Sequence, residues 1–480
     1  MGQLIPFPKR PPSVLTGLER AVRGKLDDWK MTTDKDAESF ASLEEQLEEL
    51  FRSAHREAIG EALAAAADVD ASAVVYEGRE CRRVLVSSKE YMTSAGPVTV
   101  RRALFRDRTT STPAFASLDK RVGVVDGFWT PRAARNALWM VTQMVPAKAA
   151  EALGRLTPMT PSKSTLQRLP TSVSSRWEEG RAEFEQSLIA AQEIPQGTFT
   201  LAVSLDGVYA PIDGEESHVE KREAKHAKGE AARGPDAYRE IGCASIAFYS
   251  AECELLGAIR FGRAPEFKKL GVKEMLAAEL RGLVERNPEI RNTVFLSDGA
   301  PDHWEFFDSL PFEGVQVLDF FHAAEHLNAA LSAAYGEGSV KARRRFAELR
   351  HVLLEEPGGA VTVHRSLKRL AKLPERSNNQ QRLLDRAVRY FAKHADRMHY
   401  AECSESQLPI GSGVMEASCK TLVAQRLKLS GQRWSVPGAQ AILTPRGWDQ
   451  SDRFDAAFAL LAATYARPIT VLSPVSSASG

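Results

Sequence analysis

The stretch from residue 199 to residue 319 limits the possible folds more than any other part of the sequence. Short apolar runs that alternate in the manner of strands occupy 199–206, 241–249, 255–261, 293–298 and 315–319. Helical spacing separates the last three of these runs, at about 273–286 and near 304–309. The predicted order is therefore three consecutive strands, followed by helix, strand, helix and strand.

An acidic residue closes the first, fourth and fifth of these runs, namely Asp206, Asp298 and Asp319. Carboxylates at the ends of adjacent strands can converge on one site. A meander of three strands followed by alternating helix and strand is the arrangement of the ribonuclease H-like sheet, so the sequence predicts an α/β domain of that kind. Asp206 and Asp298 are each followed by glycine, which would leave room for a phosphate or a metal ion.

The length of 480 residues, with 43% hydrophobic and 26% charged residues, indicates two to four folded units. In chain order, the predicted regions are a flexible arm at 1–30, an N-terminal helix with a small β element at 31–125, a helical region at 126–192, the ribonuclease H-like domain at 195–330 and 405–450, an all-helical insertion at 331–404, and a C-terminal helix and tail at 451–480.

The helical region at 126–192 has a break at 157–161, after which serine and threonine open a second helix at 162–169. Two helices joined by a short turn predict a mainly helical DNA-binding region with a helix-turn-helix. A plain helical hairpin has the same pattern and is commoner among proteins. The pattern alone therefore leaves both structures open.

Charge and composition exclude some classes of protein. The net charge of +1 gives no general support for nucleic-acid binding, and no apolar stretch is long enough to span a bilayer or serve as a signal peptide. The expected location is therefore the cytoplasm. Five cysteines without CxxC spacing predict inert thiols, and a loop at 213–236 with seven acidic and five basic residues predicts a solvated, mobile segment without catalytic residues.

A third carboxylate near the predicted sheet could come from the segment PIGSGVMEASCK at 409–420. Its two glycines allow close approach of the backbone, Ser412 can cap a helix, and Glu416 falls in the first helical turns. Basic residues that suit a phosphate backbone follow it, at Lys420, Arg426, Lys428 and Arg433. A solvated basic helix face is the simpler explanation of the same pattern.

Three carboxylates at one site have a chemical use. Phosphodiester cleavage requires two metal ions roughly 4 Å apart, and hard cations of that kind are held by carboxylates. Like-charged carboxylates about 4 Å apart repel each other by roughly 4 kcal/mol per pair at an effective dielectric constant of 20. A bound metal ion would offset that repulsion.

Four segments, SLDG, LSDGAPDHW, LDFFHAAEHL and PIGSGVMEASCKTLVAQRLKLSGQRW, resemble the sequence blocks of bacterial insertion-sequence transposases of the ISKra group, which are relatives of the Mutator-like superfamily. The resemblance runs in order from about residue 95 to 436. It implies that Asp206, Asp298 and Glu416 form a DDE triad that holds two Mg²⁺ or Mn²⁺ ions. It also implies that Asp319 and His322 form an Asp-x-x-His element, in which Asp319 would position His322 near the phosphate.

The same resemblance implies how the chain would meet DNA. The helix-turn-helix would read the terminal inverted repeats through Ser164, Gln167 and Arg168. Independently of the resemblance, Trp434 could stack on an unpaired base, although a tryptophan is more often a core residue. The implied partners are double-stranded DNA, as element end and as target, and further copies of the chain in a homodimer or larger oligomer. The implied location is the bacterial cytoplasm, at the nucleoid when DNA is bound.

Two alternatives remain from the sequence. One is a transposase-derived protein that binds DNA and has lost its activity. The other is a zinc peptidase, because His322, Glu325 and His326 have the H-x-x-E-H spacing of one peptidase class. Zinc content would favour the peptidase, nicking that depends on Mg²⁺ or Mn²⁺ the transposase, and tight binding without nicking the inactive form.

Overall fold

The computed structural model describes residues 14–33, 35–110, 112–213, 223, 227, 238–373 and 376–472. The charged loop predicted at 213–236 lies outside the described residues apart from positions 213, 223 and 227. The chain divides into two compact units, Met1–Glu179 with Asp455–Gly480, and Gly180–Phe454. Within the described ranges, every helix is too short or too polar to span a lipid bilayer.

The first unit contains an antiparallel sheet in the order β10-β1-β2-β3-β4. The long hairpin between β2 and β3 is closed at Gly96, where φ is +99° and the Thr93 hydroxyl donates to the Gly96 carbonyl at 2.8 Å. Four of the strands of this sheet lie within 31–125, the region for which the sequence predicted a small β element. The strands are Ala73–Tyr76 (β1), Arg79–Thr93 (β2), Gly96–Arg106 (β3), Phe115–Ala116 (β4) and Ile469–Leu472 (β10).

The predicted flexible arm is wrong for the part of it that the structure describes. Residues Val14–Met31 form a helix that packs on the helix Ala37–Ala65, with the rings of Trp29 and Phe40 5.8 Å apart. Residues 1–30 contain four prolines, which disfavour a helix, but all four precede residue 14, and the apolar residues after them recur at helical spacing. The other helices of this unit include Ser117–Val122, Pro131–Gln143, Pro146–Leu156 and Lys163–Glu179.

The second unit contains a mixed sheet in the order β7-β6-β5-β8-β9. β5, β6 and β7 pair antiparallel, whereas β5, β8 and β9 pair parallel. The helices Leu270–Arg286 and Pro301–Asp308 connect β7 to β8 and β8 to β9, so the predicted order of elements is confirmed. The strands are Thr200–Pro211 (β5), Tyr238–Tyr249 (β6), Leu255–Arg263 (β7), Asn292–Ser297 (β8) and Val315–Leu318 (β9).

The described residues of the predicted insertion form helices and the turns between them. One hydrophobic core runs from sheet residues such as Val203 and Phe295 to insertion residues such as Leu349, Val363 and Phe391. The insertion therefore shares the core of the sheet. Its helices, with the one that enters it, are Phe320–Tyr335, Val340–Glu355, Gly359–Ala371, Asn378–His394 and Tyr400–Glu405.

The last part of the second unit follows the insertion. Helix Gly413–Ser418 continues through a π-helical stretch, Cys419–Ala424, to Gln425–Leu427, and helix Val436–Asp449 packs on β7. The division at residue 180 places helix Arg181–Ala191 in this unit, although the sequence assigned it to the helical DNA-binding region. Helix Phe454–Ala463 then leads back to the first unit, where the tail predicted at 451–480 supplies β10.

Candidate active site

Asp206 and Asp298 lie on the two adjacent strands at the centre of the second sheet. Asp298 directly follows β8, as predicted, but Asp206 lies inside β5, which continues to Pro211, so the prediction that it closes its strand is wrong. The pairing of β5 with β8 ends at Ser204, whereas its pairing with β6 continues past Asp206. Asp206 therefore lies just beyond the point where β8 ends, near Asp298.

The two aspartates interact through their charges. Burial raises the pKa of Asp206, and the nearby Asp298 carboxylate raises it further. The Gly207 N–H, which donates to Asp206 Oδ1 at 2.7 Å, and the nearby Lys269 ammonium act in the opposite direction. Asp298 Oδ1 accepts from the Ala300 N–H at 3.0 Å. Two carboxylates that repel each other and are held by backbone amides offer oxygen donors of the kind that a divalent cation prefers.

Lys269 and His303 belong to this site, and the sequence did not predict them. The Lys269 ammonium lies 3.0 Å from Glu240 Oε1 and 3.2 Å from His303 Nε2. Lys268 and Lys269 both have positive φ, 50° and 56°, a backbone region that residues other than glycine rarely adopt. A strained backbone thus holds a charged side chain beside the two aspartates. The sequence feature that could have indicated His303 is its position in the first helical turn after Asp298.

The protonation of His303 follows from its neighbours. An ammonium group only donates hydrogen bonds, so His303 Nε2 accepts from Lys269 and Nδ1 carries the proton. Nδ1 lies 3.0 Å from Ser297 Oγ, which lies 3.3 Å from Asp298 Oδ1. Burial lowers the pKa of His303, as does the nearby ammonium. A neutral histidine therefore links Lys269 through Ser297 to the Asp298 carboxylate.

Asp319 and His322 are in contact, as the Asp-x-x-His element requires. Asp319 is fully buried at the start of helix Phe320–Tyr335, and its Oδ1 accepts from the His322 backbone N–H at 2.8 Å and lies 3.2 Å from His322 Nδ1. The hydrogen bond to Asp319 raises the pKa of His322 to about 9. His322 is therefore a cation at neutral pH, held by Asp319.

Ser412 has a different role from the one predicted for it. Its side chain does not cap helix Gly413–Ser418; its hydroxyl and backbone N–H both donate to Asp319 Oδ2, at 2.6 and 2.5 Å. Burial alone would raise the pKa of Asp319, but the hydrogen bonds from His322 and Ser412 lower it to about 2. Asp319 therefore joins the start of one helix to the start of the other.

Glu416 is exposed in the first turn of helix Gly413–Ser418, where its N–H donates to the Ser412 carbonyl at 2.9 Å. Cys419, one turn later, lies with its Sγ 3.6 Å from Asp206 Oδ2, so the helix passes beside the first aspartate. Across the described ranges, no group of three or more histidine, cysteine, aspartate or glutamate side chains is arranged to hold a metal ion. The aspartate pair fits a divalent cation in its chemistry, whereas Glu416 does not complete a three-carboxylate group with it.

Glycine at position 207 serves a purpose other than the predicted one. A Cβ atom there would collide with the carboxylate of Glu240, the partner of Lys269. The space that Gly207 leaves is thus occupied by Glu240. Gly299, after Asp298, has φ of +100°, which requires glycine.

The basic residues predicted to contact DNA differ in exposure. Lys420, Lys428 and Arg433 are exposed, whereas Arg426 is only 1% exposed and its side chain is not accessible to DNA in this structure. Arg426 lies over the ring of Trp434, 5.2 Å from its centroid, and burial lowers its pKa to about 10. Trp434 is half-buried, and the face of its ring that Arg426 covers cannot stack on a base.

The proposed reading helix, Lys163–Glu179, exposes Ser164, Gln167 and Arg168. The Ser162 hydroxyl accepts from the Thr165 N–H at 3.1 Å and caps the helix, as predicted. The preceding helix, Pro146–Leu156, packs against it. Base contacts by these three residues stay a prediction.

The H-x-x-E-H segment has other partners than zinc. The His326 ring stacks on Tyr390 with 3.9 Å between centroids, and His322 Nδ1 faces Asp319. These contacts explain both histidines without a metal ion.

Comparison with family models and with curated proteins finds no match. Among solved structures, the chain is similar to one described as the Drosophila P element transposase strand transfer complex, with 10% sequence identity and a TM-score of 0.25. The similarity covers 71% of this chain and 82% of that one.

Proposed function

We propose that this chain is a DNA transposase that binds the ends of its insertion sequence, cleaves phosphodiester bonds there and joins the 3′-hydroxyl ends to target DNA. The observation that carries the proposal is the pair of coupled aspartates, Asp206 and Asp298, on adjacent central strands of the β7-β6-β5-β8-β9 sheet. This strand order, with an antiparallel meander and two parallel strands, is the order of ribonuclease H-like sheets. The four sequence blocks that resemble ISKra transposases lie in this unit.

Two Mg²⁺ or Mn²⁺ ions, when bound, would activate the attacking oxygen and stabilise the leaving oxygen. Asp206 and Asp298 would hold them, and Glu416 would join these aspartates in the active complex. Lys269, through His303 and Ser297, keeps Asp298 Oδ1 oriented, so that the other carboxylate oxygen can face a cation. The protein thus fixes the ligands before DNA arrives.

His322 provides a proton near this site. Its Nδ1 is directed to Asp319, so its Nε2–H is available to donate to a phosphate or leaving oxygen. The Asp298 carboxylate is near enough to help raise the pKa of His322. In the proposed reaction, His322 donates this hydrogen bond and Asp319 positions it.

The test is nicking of a plasmid that carries the DNA flanking this gene, with Mg²⁺ or Mn²⁺ added. Wild type should nick at the element ends, whereas Asp206→Asn and Glu416→Gln should bind the plasmid without nicking it. Glu405→Gln, another exposed glutamate of the same unit, is the matched control and should nick like wild type. Nicking by Glu416→Gln would remove that residue from the proposed triad, and nicking by Asp206→Asn would refute the proposal.

A second candidate is a DNA-binding protein that has lost its activity. The exposure of Glu416 outside a three-carboxylate group favours it. Under this alternative, wild type binds the element ends and nicks with neither metal ion.

A further inference from the structure

A cavity of about 560 Å³ lies in the first unit, between the sheet, helix Lys163–Glu179 and the segment before β10. Five basic side chains and three acidic ones line it. The basic residues are Lys89, Arg102, Lys120, Arg176 and Arg467. The excess of basic side chains distinguishes this cavity from an apolar pocket. Its volume lies within the range of about 300–1,000 Å³ that is usual for ligand pockets, so it can hold a nucleotide-sized group.

The most buried carboxylate of the cavity, that of Asp119, already accepts hydrogen bonds from the protein. Asp119 accepts hydrogen bonds from the Tyr91 hydroxyl at 2.5 Å and from Arg102 Nη1 at 2.9 Å. Arg102 Nε is buried and finds no hydrogen-bond partner among the described residues. The pair therefore leaves a buried donor beside the cavity, which an added acceptor could satisfy.

Three other cations of the cavity are not held in ion pairs within the described ranges. Lys89, Lys120 and Arg467 form no ion pair with any residue in the described part of the chain. Burial lowers the pKa of Lys89, and the nearby Asp119 and Asp126 offset this only in part. A bound anion would supply the missing negative charge.

The cavity continues a polar stripe on helix Lys163–Glu179. Ser164, Gln167, Thr171 and Ser175 recur at spacings of three and four and therefore share one face. They line a shallow depression together with Arg168 and Ser172, and Ser172 also lines the cavity. Hydroxyl, amide and guanidinium groups are the usual donors to phosphate oxygens of DNA. Donors thus extend from the exposed helix face into the cavity without a break.

We propose that this cavity binds a phosphate of a DNA backbone that lies along the exposed face of helix Lys163–Glu179. Lys89, Lys120 and Arg467 contact the phosphate, and the helix face contacts the neighbouring nucleotides. The choice of DNA as the source of the phosphate rests on the proposed function. The cavity would contribute affinity and register, not base recognition, because a phosphate carries no sequence information.

The test is binding of a fluorescein-labelled duplex, taken from the DNA flanking this gene, measured by fluorescence anisotropy over a series of salt concentrations. Lys89→Gln with Lys120→Gln should weaken binding by at least about tenfold and reduce the slope of log K against log salt by about 1 to 2. The matched control, Arg101→Gln with Arg106→Gln, changes two exposed arginines of β3 that do not line the cavity and should cause a smaller loss.

Two further arms separate the possible outcomes. Arg467→Gln should weaken binding while Arg467→Lys retains it, which distinguishes loss of charge from loss of folding. Calorimetric titration with inorganic phosphate shows whether the cavity binds free phosphate. If the double variant loses phosphate binding but binds the duplex as tightly as wild type does, DNA is not the ligand of the cavity. Equal affinity of the double variant and wild type for both probes would overturn the site itself. Because only binding is measured, failure of nicking leaves this result intact.

Discussion

Asp319 shows how one residue can organise a site that its sequence neighbours only outline. It is fully buried, and its carboxylate accepts hydrogen bonds from His322 and Ser412, which lie at the starts of two different helices. The sequence predicted its contact with His322 from the Asp-x-x-His spacing. Its contact with Ser412 joins residues 93 positions apart, which no local pattern can indicate.

The Asp319–His322 pair makes stability depend on pH. The pKa of His322 is about 9 in the folded protein against an ordinary 6.5, so its stabilising effect is complete below about pH 6.5 and is lost as the pH rises through 9. Thermal unfolding of wild type should therefore shift downward between pH 6.5 and 9, and His322→Gln should flatten this shift. His351→Gln, an exposed histidine, should behave like wild type. Parallel curves for wild type and His322→Gln would contradict the ion pair.

Lys269 offers a second test on a single residue. Lys269→Met leaves Glu240 unpaired and His303 Nε2 without its donor, so we expect a loss of unfolding free energy of about 1 kcal/mol and at least about tenfold slower nicking. Adding Glu240→Gln removes the unpaired carboxylate and should restore stability. It should leave nicking slow, because the link through His303 to Asp298 is still broken. Recovery of both properties together would show that Lys269 acts only on stability.

At the scale of elements, the turn after β8 fixes Asp298. Gly299 has φ of +100°, and a Cβ atom there would lie 3.1 Å from Leu318 Cδ1 and 3.2 Å from His394 Nε2. Gly299→Ala should therefore cost about 1–3 kcal/mol of unfolding free energy and slow nicking. Gly154→Ala, in a helix with no atom within 4 Å of the new methyl group, should instead stabilise by up to about 1 kcal/mol. Denaturant unfolding of both variants measures these opposite changes in unfolding free energy. If Gly299→Ala is as stable as wild type, the backbone at position 299 does not require glycine.

The strands of the second sheet were predictable because each alternates or is continuously apolar over its own length. The end of β5 was not predictable. The sequence Asp206-Gly207 is typical of a turn, but in the structure these two residues pair with Cys243 and Gly242 of β6. The sequence also did not predict the burial of Arg426, because a basic residue on a helix face is usually solvated. In both cases the missing information lies in a contact outside the local pattern: the pairing of Asp206 with β6, and the packing of Arg426 on the ring of Trp434.

At the scale of the whole chain, the first unit is assembled from both ends of the sequence. β10 comes from residues Ile469–Leu472 and pairs antiparallel with β1 over four residue pairs. Ile469 is buried with Val74, Cys81 and Phe105 in one apolar cluster. β10 has only four residues and lies about 390 positions from its partner strand. So short a pattern does not allow the sequence to predict which strand it pairs with.

Removal of residues 469–480 tests this closure. The truncated chain loses the strand pairing of β1 on one side and the burial of Ile469, worth roughly 2 kcal/mol for an isoleucine side chain, so the first unit should lose stability while the sheet of the second unit does not. Hydrogen exchange followed by mass spectrometry should show faster exchange in peptides that contain β1, with β5 peptides unchanged. A chain ended after Leu472 keeps all four pairs and is the control. Equal protection of β1 in both chains would mean that β10 contributes nothing to the first unit.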